Sequence, residues 1–452
     1  MKIEKNKILK FLISIIISFS ISLRMLLSVQ NISYVFCLEA FVLFVFFINI
    51  IINVKDRFFP ISFLLVSVFL GFLDLIFVVC DLRIVTDKYS IQIYEKSLLL
   101  FIVWIFFFMI AYLYKEKKND KMTFRGTEII NNIISSININ HVIVLSLIIQ
   151  FFIAFKIINT VRIVGGINNA MNDFAVFKYD NQGYLITMFP LLSLISISLY
   201  EKKCKKLSFC SMIINFFLIT ITGRRGLAIN TVVIPFLVYY NYKVKKIQNK
   251  TILLILIPII TFIMFVGEIR NQQINYGSSN SLTKTLTYVT NTIQYGQNIP
   301  DMIYKMDNGI VNFQHRKYIF NGILGMVPRA IWHDKPETDN SHITSMVIYN
   351  SDITYGKPVG AFGFAYFCYG YLGVIVSGLI CGYFSCLVYK WMLKTGGTFP
   401  ILIYSILIQS FLYITNPDSQ TKIITLFFVF IIISFFASIK NGKIILLKGD
   451  KK

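Results

Sequence analysis

The chain has 452 residues, is 56% hydrophobic and 16% aromatic with only 15% charged residues, and carries a formal charge of +22. No soluble core can hide that much apolar side chain, so the composition is that of a polytopic membrane protein. The positive charge sits in short clusters beside apolar runs, where anionic lipid headgroups attract it, and nucleic-acid binding is excluded on that ground.

A helical span needs about 20 apolar residues. That rule places spans near 8–28, 33–54, 61–81, 98–114, 141–160, 184–200, 208–222, 227–242, 251–267, 364–390, 399–415 and 422–439, twelve in all. The first of these has a basic then apolar start but no small-residue cleavage site after it, and reads as an uncleaved span. Lysine-rich connections at 115–125, 201–206 and 243–250, together with both termini, form one family of loops, and the positive-inside rule makes them cytoplasmic. The expected fold is all-α with three parts: nine spans over 1–267, a large outward loop over 268–363 carrying short surface helices, and three spans with a short tail over 364–452.

Three charged residues fall inside the early spans at similar depth: Arg24, Glu39 and Asp74. An internal ion cluster tying the first three spans together is the economical reading, with a proton relay as the alternative. Seven cysteines are scattered without CxxC or Cys/His spacing, which indicates neither a zinc site nor a disulfide framework.

The stretch "TGRRG" lies between the seventh and eighth spans and sets Arg224 beside Arg225. The flanking cytoplasmic clusters place this turn on the outer side, against the usual charge bias. Two short flanking spans put it in a dip beneath the headgroups. Anchoring to lipid phosphates by snorkelling is one explanation. Capture of a substrate phosphate or diphosphate by the planar guanidinium forks is the other.

The segment 268–363 holds four of the ten prolines and three of the four histidines. Such a concentration of polar chemistry on a loop above a rigid scaffold is where function tends to sit. Leu282, Leu286, Val289 and Ile293 have the spacing of an amphipathic surface helix, and 318–327 is too short to span but long enough to dip in. The loop therefore reads as a cap that brings Arg270, Arg316, Lys317, Arg329 and Lys335 to the side of Arg224 and Arg225. Among its titratable groups, His333 and His342 are candidate general bases, with Asp334, Asp339 and Asp352 to orient or replace them, and His315 suits phosphate contact. "NPDSQTK" at 416–422 is a turn by composition, and Asp418 within it is in reach of the cap.

P-loop, Rossmann, HExxH and GxSxG patterns are absent, as is an acidic cluster suited to Mg²⁺ for sugar nucleotides. No cofactor is indicated. Chemistry or transport on an anionic, non-nucleotide substrate at the outer face remains, and a lipid-linked diphosphate fits because the leaving group brings its own charge.

The ordered set "TGRRG", "GEIR" closing a span before the long loop, "VPRAIWHDKP" within it and "GAFGFAYFCYGYLGVIVSGLICGY" entering the next span resembles the Wzy family, the O-antigen and capsular polysaccharide repeat-unit polymerases. The resemblance runs over about 209–390. It implies a metal-independent membrane glycosyltransferase of GT-C type that moves a growing glycan from undecaprenyl diphosphate onto a new lipid-linked repeat unit. It further implies that Arg225, Arg270 and Arg329 hold the diphosphate, with Arg224, Lys335 and Arg316 in support, and that His333 or an acid such as Asp339 deprotonates the acceptor. The family often has a smaller residue at the position of Arg224, so Arg225 takes the leading role. Tyr355, Phe362 and Tyr366 are candidates for stacking on sugars. The implied partners are a flippase, a chain-length regulator and the bilayer itself. An O-antigen ligase acting on lipid A core and a lipid-linked oligosaccharide flippase are the competing readings.

Overall fold

The computed structural model describes residues 87–117, 139–166, 196–247 apart from 202 and 223–227, 295–315, 321–324, 339–349, 356–395 and 398–424, with isolated positions between 58 and 79, 189 and 193, and 327 and 337, and Pro258. Among these residues the protein is helical and contains no strand. Among the described residues, two helices are long and apolar enough to cross a membrane, α1 (Ile91–Lys117) and α8 (Gly360–Thr395). Between them in the chain lie α2 (Ile139–Ile163), α3 (Lys205–Ile221), the mixed helix α4, and three helices of the cap: α5 (Tyr295–Asp307), the single turn α6 (Asn321–Leu324) and α7 (Asn340–Tyr349). After α8 comes α9 (Thr398–Leu412).

Helix α1 is apolar on every face and correspondingly buried on nearly all of them, which makes it the centre of the larger core. Its principal partner is α8. Gly378 and Gly382, four residues apart, lie against the α1 backbone: a Cβ on Gly378 would come 2.6 Å from the Trp104 carbonyl oxygen, and one on Gly382 would overlap that of Phe108. This is the small-xxx-small packing that lets helix backbones approach where lipid gives no hydrophobic drive. The Trp104 indole N–H donates to Ser377 Oγ at 3.1 Å between them. At the far end Lys390 Nζ donates to the Lys115 and Glu116 carbonyls, closing the C-terminus of α1.

These pairs rise together in number, so α1 and the part of α8 beyond Gly370 run parallel, whereas the residues before it run the other way, with Phe362 on Phe101 and Tyr366 under Lys96. Two parallel membrane-crossing helices require an odd number of crossings between them, and hydropathy predicts five. Helix α9 runs back along α8, with the Tyr389 and Tyr404 rings 5.6 Å apart and Ser377 Oγ 2.7 Å from Thr415 Oγ1.

Helix α8 is two helices joined at a break. Gly370 sits at φ 63, ψ −150, a conformation open in practice only to glycine, after a non-helical Tyr369. The break exposes backbone groups, and the cap uses one: the Gln314 N–H donates to the Phe367 carbonyl at 3.1 Å. The hydropathy-based start of this span, 364, falls inside the first leg, whose helix begins at Gly360.

A smaller core joins α2, α3 and α4 through Ile153, Ile157, Leu218, Ile219 and Val232. A polar knot crosses it, in which Gln150 Nε2 donates to Ser211 Oγ at 2.6 Å and Asn215 Oδ1 at 3.0 Å. Helix α4 opens with a π turn (Ile229–Val233), continues as an α segment (Ile234–Tyr239) and closes with a second π turn (Tyr240–Val244). An apolar groove of about 490 Å³ lies between α3 and α4, lined by Phe209, Phe216, Phe217, Val233 and Phe236 among others.

The cap is built into the bundle and does not merely lie on it. Ile299, Met302 and Ile303 of α5 are wholly buried in the same core as α1. Asp74, also wholly buried, accepts the Gly296 N–H at 2.6 Å and so closes the start of α5, whose Gly296 has no room for a side chain beside the Asp74 carbonyl. The expected ion cluster of Asp74 with Arg24 and Glu39 involves two residues outside the described set, as does the expected surface helix over 282–293.

Candidate active site

Ion pairs and aromatic contacts clamp α5 to the cap end of α1. The Tyr89 hydroxyl donates to Asp301 Oδ1 at 2.7 Å, and burial together with that carboxylate pushes the phenol pKa well above its ordinary value. Lys96 Nζ pairs with Asp307 at 2.5 Å. Lys305 lies 3.7 Å from Asp301, donates to the Ile348 carbonyl near the end of α7, and stands over the Tyr349 ring, which Lys357 approaches as well. These cap lysines are engaged in holding helices together.

Helix α7 begins at a buried carboxylate–imidazole pair. Asp339 is its N-cap: Oδ1 accepts the N–H of Ser341 at 3.0 Å and of His342 at 3.3 Å, satisfying donors that the first helical turn leaves open. The Asp339 N–H in turn donates to Glu337 Oε1 at 2.9 Å. The other Glu337 oxygen, Oε2, lies 3.0 Å from His342 Nδ1, with both side chains about nine-tenths buried. A carboxylate on Nδ1 fixes the ring and favours the tautomer with the proton there, which leaves the lone pair on Nε2. Three residues of one short segment thus form a carboxylate–imidazole pair held by a helix cap.

The pair is anchored on two sides. Asn321 Nδ2 of α6 donates to the Glu337 carbonyl at 2.9 Å, and Thr344 Oγ1 donates to the Lys357 carbonyl at 2.7 Å. Helix α6 rests on the helical segment 417–424 after α9: Thr421 Oγ1 donates to the Gly322 carbonyl at 2.8 Å, and Gly322 packs directly on the Pro417 carbonyl. The "NPDSQTK" stretch, expected to be a turn, is therefore helical beyond Asn416 and touches the cap.

Of the site residues expected from sequence, Asp339 is described and serves as the helix cap. Arg224, Arg225, Arg270, Arg316, Arg329, His333 and Lys335 lie outside the described residues. His342, named among the alternatives, has the oriented geometry of a base; Glu337 was missed, although its spacing of two before a capping Asp and five before a His is the legible signal. Phe362 and Tyr366, expected to stack on sugars, are instead 4% and 3% exposed. Phe362 meets Phe101 and Tyr295 edge to face, and Tyr366 meets Phe313 and Tyr371. They are core residues because the first leg of α8 is buried between α1 and α5. Tyr355 lies outside the described residues.

Fold and site together define a helical membrane protein with a packed cap at one end of the bundle and an oriented imidazole in that cap. The family model for O-antigen polysaccharide polymerase Wzy matches residues 9–448. The chain belongs to that family. No curated protein and no solved structure matches it.

Proposed function

We propose that this protein polymerises undecaprenyl-diphosphate-linked repeat units into O-antigen or capsular polysaccharide at the outer face of the inner membrane, with both termini cytoplasmic. The family match over 9–448 carries the reading. In it, the hydroxyl of the distal sugar on the incoming unit attacks the anomeric carbon of the growing glycan. The bond to the diphosphate breaks, and undecaprenyl diphosphate leaves with the electron pair.

Arg225, Arg270 and Arg329, supported by Arg224, Lys335 and Arg316, neutralise charge developing on that leaving group. The donor arrives activated, so the mechanism calls on no metal. The acceptor proton goes to a base in the cap. Sequence alone offers His333 or Asp339; the 3.0 Å pair with Glu337 favours His342, since Asp339 already holds the end of α7. A flippase supplies units and a chain-length regulator terminates growth in this scheme.

The test is deletion in the host, followed by electrophoresis of surface glycan, with complementation by wild type and by Arg225→Ala. Single repeat units on the core after deletion, restored to long polymer by wild type but not by Arg225→Ala, are expected. Polymer stalled on its lipid carrier would point to ligation, and loss of exported units to flipping; either result sinks the polymerase reading.

A further inference from the structure

The apolar groove between α3 and α4 has both room and a lateral opening. Val232 and Phe236 are buried and form its floor, while Phe209, Ile213 and Phe217, each about half exposed, form its rim. Its volume is about 490 Å³, and of its lining residues only Tyr240 carries a polar group. Both walls belong to expected spans, so the exposed rim faces hydrocarbon. The α4 wall is irregular: Val232 and Val233 come from its first π turn and Tyr240 from its second, and π turns, rare in helices, are frequent at functional sites. The face of α2 formed by Leu147, Phe151 and Phe155 is as apolar but belongs to a single helix and has no second wall.

Chain connectivity sets what stands at one end. The groove follows α3 from Phe209 to Phe217, about 12 Å at the helical rise. Phe217 is four residues before the end of α3 at Ile221. Arg225 is four residues from Ile221 and four from Ile229, where α4 begins, a reach of about 14 Å at most from either helix. A ligand that uses both features has an anionic head on a long apolar chain that never leaves the bilayer. Such a chain exchanges one hydrocarbon surrounding for another, so the groove holds it by shape and contact and not by a hydrophobic drive. Four phenylalanines line the groove, a stiff and uneven surface against which the methyl branches of an isoprenoid make more contact than a straight acyl chain does.

We infer that the groove between α3 and α4 seats the isoprenoid chain of the lipid-linked donor, beside the diphosphate that it carries. The inference rests on the polymerase reading for the donor and for the role of Arg225, and it adds where the chain lies. The first isoprene units run along α3 between Phe217 and Phe209, entering sideways from the bilayer over the exposed rim, so the leaving group is held by its tail as well as by its head.

A benzophenone amino acid in place of Phe217 tests it, with the full chain in nanodiscs of phosphatidylethanolamine and phosphatidylglycerol doped with undecaprenyl diphosphate, and mass spectrometry of the crosslinked lipid as readout. Undecaprenyl diphosphate is expected to crosslink about 10-fold or more above its share of the lipid, the selectivity that a shaped apolar pocket gives. The same group in place of Ile214, exposed on α3 but outside the groove, crosslinks lipids in proportion to the mixture. Val233→Trp fills the groove and removes the enrichment. Ile213→Trp, on the exposed rim, does the same and covers the case in which the Val233 variant unfolds. Crosslinking at Phe217 in proportion to the mixture, or enrichment that the folded tryptophan variants leave intact, overturns the site and makes the groove an ordinary lipid-facing surface. Enrichment in a protein whose deletion leaves host polymer intact upholds the groove and removes the polymerase reading. Proportional crosslinking beside a deletion that leaves single repeat units removes the groove and leaves the polymerase reading standing.

Discussion

Glu337 does two jobs with its two carboxylate oxygens, one for the Asp339 N–H and one for His342 Nδ1. That division separates the residues experimentally. Glu337→Gln keeps the shape but can no longer accept with both oxygens, so the imidazole loses its fixed tautomer; polymer synthesis should fall sharply, and His342→Ala should lower it by about 100-fold or more, the usual worth of a positioned general base. Asp339→Asn still offers a capping oxygen. Near-normal polymerisation by Asp339→Asn beside a severe loss in His342→Ala identifies the histidine as base, and the reverse pattern gives the role to Asp339. At this scale the sequence displayed the segment that holds the carboxylate–imidazole pair. It did not distinguish a catalytic aspartate from a capping one, because both are an Asp close to a His, and only the direction of the 3.0 Å contact to the Ser341 N–H tells them apart.

Element boundaries show the same mixture. Hydropathy finds α1, α2, α3, α8 and α9, since a run of apolar residues is a local property. Helix α5 goes unseen: with Pro300 inside it and Asn, Gln, Asp and Lys along it, "YGQNIPDMIYKMD" reads as loop, yet Ile299, Met302 and Ile303 lie in the core. Its place is decided by α1 and α8, which bury its apolar face, and by Asp74, which closes its first turn. Contact between α1 and α8 depends on the glycine pair in α8. Gly382→Val puts side-chain carbons into the Phe108 backbone and should destabilise the protein by about 1–3 kcal/mol or more, as overpacking does. Thermal unfolding in detergent, read by size-exclusion fluorescence, checks it. An unchanged midpoint would mean the two helices do not pack as described.

For the whole molecule, the parallel course of α1 and of α8 beyond Gly370 ties the topology together. Combined with the positive-inside rule, it predicts that both descend from the outer face and that the cap is outside. Asn308, exposed just after α5, and Lys245, exposed just after α4, then lie on opposite sides of the bilayer. In a cysteine-free background an impermeant maleimide should label Asn308→Cys on intact cells and leave Lys245→Cys unlabelled until the membrane is opened. Labelling of both or of only the second would reverse or break the topology.

The sequence by itself determined that this is a helical membrane protein and where most of the described bundle helices run, and it singled out one polar segment as the candidate for the chemistry. Its ordered motifs also pointed to the Wzy family. These follow from composition, from runs of residues and from short patterns, all of which are local. The tertiary structure alone decided that the polar segment is packed into the bundle, that His342 is paired with Glu337, and that Phe362 and Tyr366 are core. Each of these depends on which distant residue lies opposite, as Asn321 lies opposite Glu337 and Gly322 opposite Pro417, and such pairings are set by helix packing rather than by any neighbour in the chain.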